Sequence, residues 1–342
     1  MSDMRTIWSR IGLLGVSLAM AVGLAISTTA GAQSLSYTKG QTVAPAYEGW
    51  DEDEQGNKYF LFGYMNRNWE EEIDVPVGPE NAFSPGAPDQ GQPTRFLPRR
   101  NRFTFKVPVP KNFTEKDELV WTLTTYGHTE KAYATIRADY KLDTVTEMSE
   151  TGALGAGTSS PEVRANKRPV VTVQGSKKLT AKVGESIQII TLVQDDGIPK
   201  RRLPGLSGAA ASNTGSRRDT VGQNPTAPAP ATQNPLIANR LTAPPIRVTV
   251  GKNVGLHLAW FVLRAPVKAK VTFSPEQIST WEDTRAGANS PWAPIWIAPP
   301  MPADGKVPVT VSFDTPGTYQ LRARSDDGGL TGDDEVTVTV TK

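Results

Sequence analysis

Short runs in which apolar and polar residues alternate, separated by proline and glycine, are the feature that most narrows the possible folds of this chain. Leu119, Trp121 and Leu123 alternate with smaller or polar residues, and the pattern recurs at 103–109, 187–193, 319–323 and 336–340. The polar residues between the apolar ones, such as Arg322 and Arg324, are predicted to point outward. Because successive side chains of a strand point to opposite faces of a sheet, each run predicts a strand with one buried face. No segment between 35 and 143 shows a sustained helical period, and 30 Gly and 28 Pro make turns frequent. We therefore predict an all-β protein.

The N-terminus carries the pattern of a cleaved export signal. Two arginines precede an apolar run at 11–26, and Ala30-Gly31-Ala32 supplies the small residues that a signal peptidase accepts. The run is shorter than the roughly 20 residues of a membrane-spanning helix, which favours export over an uncleaved N-terminal anchor. We predict a signal peptide at 1–32, cleavage before Gln33 and no transmembrane segment in the mature chain. The protein is then periplasmic or secreted.

The mature chain divides into two groups of predicted strands. Residues 33–145 are predicted to form an N-terminal β-sandwich domain, and residues 146–168, rich in Gly, Ser and Thr, a linker. Residues 169–342 are predicted to form a second domain. A low-complexity insertion at 203–245 interrupts it, and this tract is too poor in large apolar residues to order itself. The predicted fold class is therefore two β-sandwich domains after a signal peptide.

Charge and cysteine content exclude several classes of function. Lys and Arg number 37 against 35 Asp and Glu, and the net charge of +2 gives no reason to expect a nucleic-acid partner. The absence of Cys removes disulfides, thiolate nucleophiles and Cys-ligated metals, and two His are too few for most metalloenzyme sites. An exported protein without cysteine indicates a bacterial source, where packing replaces crosslinks.

Several segments of the second predicted domain follow one another in a familiar order: TLVQDDGIP at 191–199, the strand with Trp260, KVTF at 270–273, FDTPGTY at 313–319 and DDG at 326–328. Together they resemble bacterial PKD-like (polycystic-kidney-disease-type) immunoglobulin-like domains. The resemblance implies a sandwich with Trp260 in the core of strand C and Tyr319 as a tyrosine corner. Leu321 stands where disulfide-linked relatives have Cys. The family implies non-catalytic modules that serve as spacers, adhesion units or partner-binding units.

Three segments of the first predicted domain carry a weaker resemblance: FGYMNRN at 62–68, DVPVGP at 74–79 and GQPTRF at 91–96. They are similar to the N-terminal part of uncharacterised exported bacterial proteins. This resemblance implies no activity.

Three elaborated loops of the second domain are predicted to meet at the end that faces the first domain. They are the insertion after strand B (186–194), an excursion at 276–304 and the turn between strands F (318–325) and G (335–341). Trp281, Trp292 and Trp296 lie in the excursion. Two interpretations stay open: the three rings pack against the first domain, or they form exposed platforms for a sugar or a peptide.

Six aspartates in two of these loops make a candidate calcium site: Asp195 and Asp196 before the insertion, and Asp326, Asp327, Asp333 and Asp334 around the F–G turn. Ca²⁺ takes six to eight oxygen ligands, and two converging acidic loops could supply several of them. Asp-Asp-Gly is also an ordinary turn sequence, and Arg201 and Arg202 could neutralise the first pair. The turn interpretation therefore stays open, and no other cofactor is predicted.

Acidic residues of the first domain raise the alternative of an enzyme. Glu70, Glu71 and Glu72 precede Asp74, and a glycoside hydrolase needs two carboxyl groups held apart in a cleft. Consecutive acids on a turn are usually solvated, which favours a protein that is not an enzyme. We predict a non-catalytic binding or structural module of the bacterial cell envelope, with a protein or a carbohydrate of the envelope as partner. The alternative is a secreted hydrolase acting on polysaccharide.

Overall fold

The computed structural model describes residues 38–150, 161–199, 256–278 and 300–342. The predicted signal peptide, the insertion at 203–245 and most of the excursion lie outside the described residues. Within the four described ranges, strands dominate and the all-β prediction is confirmed. No helix in these ranges is long and apolar enough to cross a membrane.

Eight strands form the first sandwich: β1 (Val43–Glu52), β2 (Lys58–Asn66), β3 (Ile73–Asp74), β4 (Asn81–Ser84), β5 (Arg95–Phe96), β6 (Arg99–Pro108), β7 (Leu119–Thr125) and β8 (His128–Ala134). Two three-stranded sheets have the orders β1-β2-β6 and β4-β7-β8, and β3 pairs with β5. Apolar residues from both larger sheets share one core. The first predicted domain is therefore a β-sandwich.

Aromatic side chains fill the core of the first sandwich. Phe62 and Phe105 stack with their ring centroids 5.4 Å apart, and both meet the edge of Trp121, at 5.9 and 5.1 Å. Such pairs add to the free energy of apolar burial. Leu119, Trp121 and Leu123 are at most 5 % exposed. The single buried face that their alternation predicted is confirmed.

Strand β6 departs from the regular alternation predicted for residues 103–109. A register shift interrupts its pairing with β2, and Arg99 and Phe103 have φ angles of 63° and 48°. This left-handed region is unusual for a residue with a side chain. Phe103 is half-buried as a result, whereas Phe105 lies in the core. We call residues 99–104 the β6 bulge.

Two short helices lie between the sandwiches: α1 (Thr144–Glu150) and α2 (Pro161–Arg164), after a 3-10 turn at Ala138–Tyr140. The sequence predicted a linker at 146–168 and did not predict either helix. The apolar residues there are isolated, and isolated residues give no helical period. Met148 of α1 is 3 % exposed and packs against Leu330. Helix α1 is therefore docked on the turn between the last two strands of the chain.

Eight further strands form the second sandwich: β9 (Val170–Val173), β10 (Lys178–Lys182), β11 (Ser186–Gln194), β12 (His257–Arg264), β13 (Val271–Ser274), β14 (Lys306–Phe313), β15 (Gly317–Asp326) and β16 (Thr331–Thr341). One sheet has the order β13-β14-β11-β9 and the other the order β10-β16-β15-β12. In immunoglobulin nomenclature these are D-E-B-A and A′-G-F-C, with A′ parallel to G. The second sandwich is immunoglobulin-like, as predicted.

The residues that the resemblance assigned to the immunoglobulin core lie where it places them. Trp260 on β12 is 2 % exposed. Tyr319, at the start of β15, donates its hydroxyl to Thr315 O at 2.6 Å, which is the geometry of a tyrosine corner. Leu321 is fully buried. A packed leucine side chain therefore takes the place of the cysteine that forms a bridge in disulfide-linked relatives.

Both faces of β12 are buried, and this determines where the first sandwich lies. Trp260 and Val262 belong to the core of the second sandwich, whereas Phe261 and Leu263 pack with Leu97 of the first. An uninterrupted apolar run in a strand requires cover on both faces. The first sandwich thus lies against the outer face of the β10-β16-β15-β12 sheet, and not at the loop end where the topology predicted it.

Candidate functional site

The junction between the two sandwiches is built around a small apolar cluster. Leu97, which follows β5, packs on Phe261 and Leu263 from the outer face of β12. The three side chains are 6 %, 8 % and 1 % exposed, respectively. Three residues bury little apolar area, and polar groups make most of the other specific contacts across the junction.

Arg95 on β5 makes the first of these polar contacts. Its Nε and Nη2 bind the two carboxylate oxygens of Asp74 at 2.8 and 3.2 Å, and Nη2 also donates to Ala269 O at 2.7 Å. Asp74 Oδ2 in turn accepts the N–H of Lys268 at 2.7 Å. Burial alone would lower the pKa of Arg95, but the hydrogen bond and charge of Asp74 outweigh burial and raise it. The ionised pair therefore holds the turn between β12 and β13.

Arg264, at the end of β12, makes a second contact. Its Nη1 and Nη2 bind Asp89 at 3.0 and 2.6 Å, and Nε donates to Gln92 O at 2.8 Å. This hydrogen-bonded pair holds the pKa of Asp89 below its usual range. Close by, Thr94 donates its N–H to Leu263 O at 3.1 Å. The backbone of the first sandwich therefore bonds to the free edge of β12.

Arg324 on β15 makes a third contact. Its Nε and Nη2 each lie 2.7 Å from a carboxylate oxygen of Asp333, and Nη2 also donates to Phe103 O at 3.0 Å. The guanidinium lies 5.7 Å from the centroid of the Phe261 ring. Burial would raise the pKa of Asp333, but the charges of Arg324 and Arg322 outweigh it and keep that pKa below its ordinary value. Arg324 points away from its own core, as predicted, and the first sandwich covers it.

A cleft of about 630 Å³ lies between the two sandwiches and α1. Strand β6 lines one side, and β15 with the first residues of β9 and β16 lines the other. Two ion pairs lie in its wall, Arg168 with Glu147 and Arg322 with Glu335, and Lys106 adds a further cation. Val170 adds an apolar side chain that is 56 % exposed. Because the arginines of the cleft are paired with carboxylates, it suits a ligand with mixed polar and apolar surface better than a polyanion.

The first two aspartates of the predicted calcium site cap their own turn. Asp195 Oδ2 accepts the N–H of Gly197 at 2.9 Å. Asp196 accepts the N–H of Ile198 at 2.9 Å through Oδ1 and that of Lys167 at 3.1 Å through Oδ2. Burial raises the pKa of Asp195. The bonds to Gly197 and Ile198 are those of Asx turns, which was the alternative interpretation, and the bond to Lys167 ties this turn to the start of the domain.

The next two aspartates order the turn between β15 and β16. Asp326 Oδ1 accepts the N–H of Gly328 at 2.7 Å. Asp327 Oδ1 accepts the N–H groups of Gly329 and Leu330 at 2.5 and 2.7 Å. Asp327 is only 3 % exposed, and burial raises its pKa to about 7. A carboxyl group in this position is poorly solvated.

The last two aspartates are bound to basic side chains. Asp333 pairs with Arg324, and Asp334 pairs with Lys177 and accepts the N–H of Val173 at 2.6 Å. Among the residues that the structure describes, no group of three or more His, Asp or Glu side chains is placed to hold a metal ion. Calcium binding by the six aspartates stays a prediction.

Two further sets of residues were candidates for a functional site: the three tryptophans of the excursion and the acidic residues of the first domain. Trp281, Trp292 and Trp296 lie outside the described residues, and both interpretations of them stay predictions. Glu71, one of the acids considered for catalysis, accepts the hydroxyl of Tyr126 at 2.6 Å. Burial raises the pKa of Glu72. In this geometry Glu71 anchors the turn between β7 and β8.

Comparisons with known proteins give only distant structural similarities. No family model matches the chain, and no curated protein matches it. Domains 4 and 5 of the S-layer protein SbsC are 10 % identical, with a TM-score of 0.21, over 88 % of this chain and 98 % of that one. The Yersinia pseudotuberculosis adhesin InvE is 10 % identical, also with a TM-score of 0.21, over 87 % of this chain and 58 % of that one.

The first eight immunoglobulin domains of the Down Syndrome Cell Adhesion Molecule are 6 % identical, with a TM-score of 0.21, over 87 % of this chain and 27 % of that one. This chain thus spans less than two thirds of that molecule and of the adhesin. Similarities at this level carry no argument about function. The immunoglobulin-like assignment of the second sandwich depends instead on its own strand order and tyrosine corner.

Proposed function

We propose that the protein is an exported, non-catalytic module of the bacterial cell envelope, whose two sandwiches form one rigid unit that binds a protein or a carbohydrate. The junction carries this proposal. Arg95, Arg264 and Arg324 each complete their hydrogen bonds with groups of the other sandwich. Domains in one chain move relative to each other by default unless their interface is large and hydrophobic, and the apolar cluster here is small, so the restraint must come from these bonds. Directional bonds at three places, around an apolar cluster, favour a fixed orientation.

The proposal also includes export from the cytoplasm and a PKD-like family for the second sandwich. The basic residues, the apolar run at 11–26 and Ala30-Gly31-Ala32 support a signal peptide cleaved before Gln33, and hence a periplasmic or secreted protein. The motif order of the second sandwich supports a PKD-like domain. Sequencing the N-terminus of the protein recovered from a bacterial periplasm checks cleavage directly. An N-terminus at Met1 would contradict export by this route.

The rigidity of the unit is testable because the chain has no cysteine. Lys131→Cys on β8 and Lys178→Cys on β10 place one spin label on each sandwich, both at exposed positions. Pulsed electron-spin measurements should give one narrow distance distribution between them. A control pair, Lys131→Cys with Glu54→Cys, lies within the first sandwich and gives the width of a rigid body. A cross-junction distribution much broader than the control would contradict the proposal.

The cleft is the proposed binding site, and purified peptidoglycan is a suitable first probe of envelope carbohydrate. Co-sedimentation should retain the protein, and Val170→Arg should reduce the bound fraction because it fills the cleft with an unpaired charge. Val183→Arg is the matched control, since Val183 is 40 % exposed outside the cleft. Equal binding by both variants would remove the cleft from the proposal. Release of soluble sugar from the probe would instead identify a hydrolase.

A further inference from the structure

The β6 bulge has a backbone conformation that its own residues do not favour. Arg99 and Phe103 are both left-handed, with φ angles of 63° and 48°. A side chain makes this region sterically unfavourable, and the residues that tolerate it best are Gly, Asn and Asp. Neither Arg nor Phe belongs to that group. Contacts elsewhere must therefore select this conformation.

The first sandwich holds one side of the bulge. Asn101 Nδ2 lies 3.2, 3.0 and 3.2 Å from the carbonyl oxygens of Leu97, Pro98 and Arg99. Thr104 Oγ1 donates to Asn101 O at 3.1 Å. These bonds fix the first half of the bulge around the left-handed Arg99. These bonds do not involve the carbonyl groups of Arg102 and Phe103.

The second sandwich donates to both of these carbonyl groups through Arg324. Its Nη2 donates to Phe103 O at 3.0 Å, and Nη1 reaches Arg102 O at 3.5 Å. Arg324 can do this because Asp333 holds its Nε and Nη2 at 2.7 Å from the opposite strand. A guanidinium has five N–H donors in one plane, which lets it bind a carboxylate and two carbonyls together.

The dependence runs in both directions. Arg324 is 7 % exposed, and the first sandwich covers it together with Phe261 and Leu263. Unfolding of the first sandwich would expose both apolar side chains and return the charged group of Arg324 to water. Unfolding of the second would remove the donors of Arg324 from the carbonyl groups of Arg102 and Phe103. The second sandwich therefore stabilises the β6 bulge of the first. The first sandwich in turn covers Phe261, Leu263 and Arg324 of the second.

We infer that Arg324 is a clamp through which the second sandwich imposes the β6 bulge on the first, and that the two sandwiches unfold as one cooperative unit. This goes beyond the proposed function, because two domains can keep a fixed orientation and still unfold separately. It also does not depend on a ligand or on export.

Arg322 provides a matched control for the clamp. It lies on the same face of β15, two residues away, and is 6 % exposed. It pairs with Glu335 and lies 3.7 Å from Asp333, and both partners belong to its own sandwich. Arg322→Gln and Arg324→Gln therefore remove equivalent buried charges. Only the second substitution removes donors to the carbonyls of the bulge.

Hydrogen exchange of the full-length chain tests the clamp. Arg324→Gln should speed exchange of the amides around Thr104–Lys106 at least 10-fold more than Arg322→Gln does. Arg324→Lys keeps the positive charge beside Asp333 but cannot bind both carbonyl groups. It replaces Arg324→Gln in this experiment if that variant does not fold. It should give the same direction of effect. Equal exchange in β6 for the Arg322 and Arg324 variants would overturn the clamp.

A core substitution in the first sandwich tests cooperative unfolding separately. Leu123→Ala leaves a cavity far from Arg324 in sequence and does not touch the junction cluster. In a single cooperative unit, the slowest amides of both sandwiches should exchange faster by the same factor. Val336 and Val338, fully buried on β16, report the second sandwich. Unchanged exchange at these two amides would overturn the inference while leaving a rigid orientation possible.

Discussion

Thr191 is a polar residue in the middle of an apolar core. It is 0 % exposed on β11, and its Oγ1 makes no hydrogen bond within the described residues. A buried hydroxyl without a partner costs free energy, and Val has nearly the same shape without that group. Thr191→Val should therefore raise the free energy of unfolding by about 1 kcal/mol, measured by urea denaturation. Thr180→Val, on the exposed face of β10, is the control and should change little.

Trp260 and His257 lie three residues apart on β12 and differ in burial. Trp260 is 2 % exposed in the core, whereas His257 is half-buried at the start of the strand. Trp260→Ala leaves a large cavity that the surrounding sheets cannot fill, and it should cost roughly 3–5 kcal/mol of unfolding free energy. His257→Ala should cost far less. Similar losses for the two variants in thermal or urea unfolding would show that the strand's faces are misassigned.

Gly63 lies in β2 where two chain segments approach it closely. A Cβ atom there would be closer than van der Waals contact to Glu48 Oε1 and to the carbonyl oxygen of Asn101. The carboxylate can move, but the carbonyl belongs to the β6 bulge. Gly63→Ala should therefore destabilise the protein by roughly 2 kcal/mol or more. Gly78→Ala has no neighbouring atom within 4 Å of its new Cβ, and its urea midpoint should stay close to that of the parent protein.

At the scale of elements, the turn between β15 and β16 carries a pH dependence. Burial raises the pKa of Asp327 from an ordinary 3.8 to about 7. Below 3.8 the carboxyl is protonated in both states. Between 3.8 and 7 the unfolded chain releases its proton and the folded chain keeps it, which lowers the unfolding free energy as pH rises, by at most about 4 kcal/mol. Asp327→Asn should flatten this slope. Parallel pH curves for the variant and the parent would contradict the assignment.

The strands are the elements that the sequence predicts best. Alternation identified the buried faces of β7, β11, β15 and β16, because one covered face imposes a period of two on apolar residues. The β6 bulge was not predicted, since neither of its left-handed residues, Arg99 and Phe103, is a Gly or an Asn that would have indicated it. Helix α1 was not predicted either. Its docking depends on Met148, and one residue carries no period.

At the scale of the whole molecule, the junction was not predictable from local patterns. Arg95 and Ala269 are 174 residues apart, and Arg324 and Arg102 are 222 apart. Alternation shows that Arg322 and Arg324 point away from their own core, but it does not show what covers them. One signal was present. The apolar run of β12 has no polar alternation, which indicates a strand buried on both faces.

The two arginines that bind carboxylates at the edges of the junction should differ widely in their contribution to stability. The side chains of Arg95 and Asp74 are 7 % and 15 % exposed, whereas those of Arg264 and Asp89 are 22 % and 50 % exposed. Removing one partner of a buried pair leaves an uncompensated charge, while an exposed pair is weakened by water and salt. We therefore expect the burial of the Arg95–Asp74 pair, rather than the number of hydrogen bonds, to determine how much stability each arginine contributes.

Arg95→Met should lower the unfolding free energy by roughly 3 kcal/mol, and Arg264→Met by about 1 kcal/mol or less. Both variants keep a long apolar stem, which limits the difference in packing between them. Urea denaturation at low and high salt measures both values, and added salt should reduce the Arg264 effect more than the Arg95 effect, because screening acts mainly on exposed charges. An Arg264 effect as large as that of Arg95 would mean that the exposed edge of β12, and not the buried pair, holds the sandwiches together.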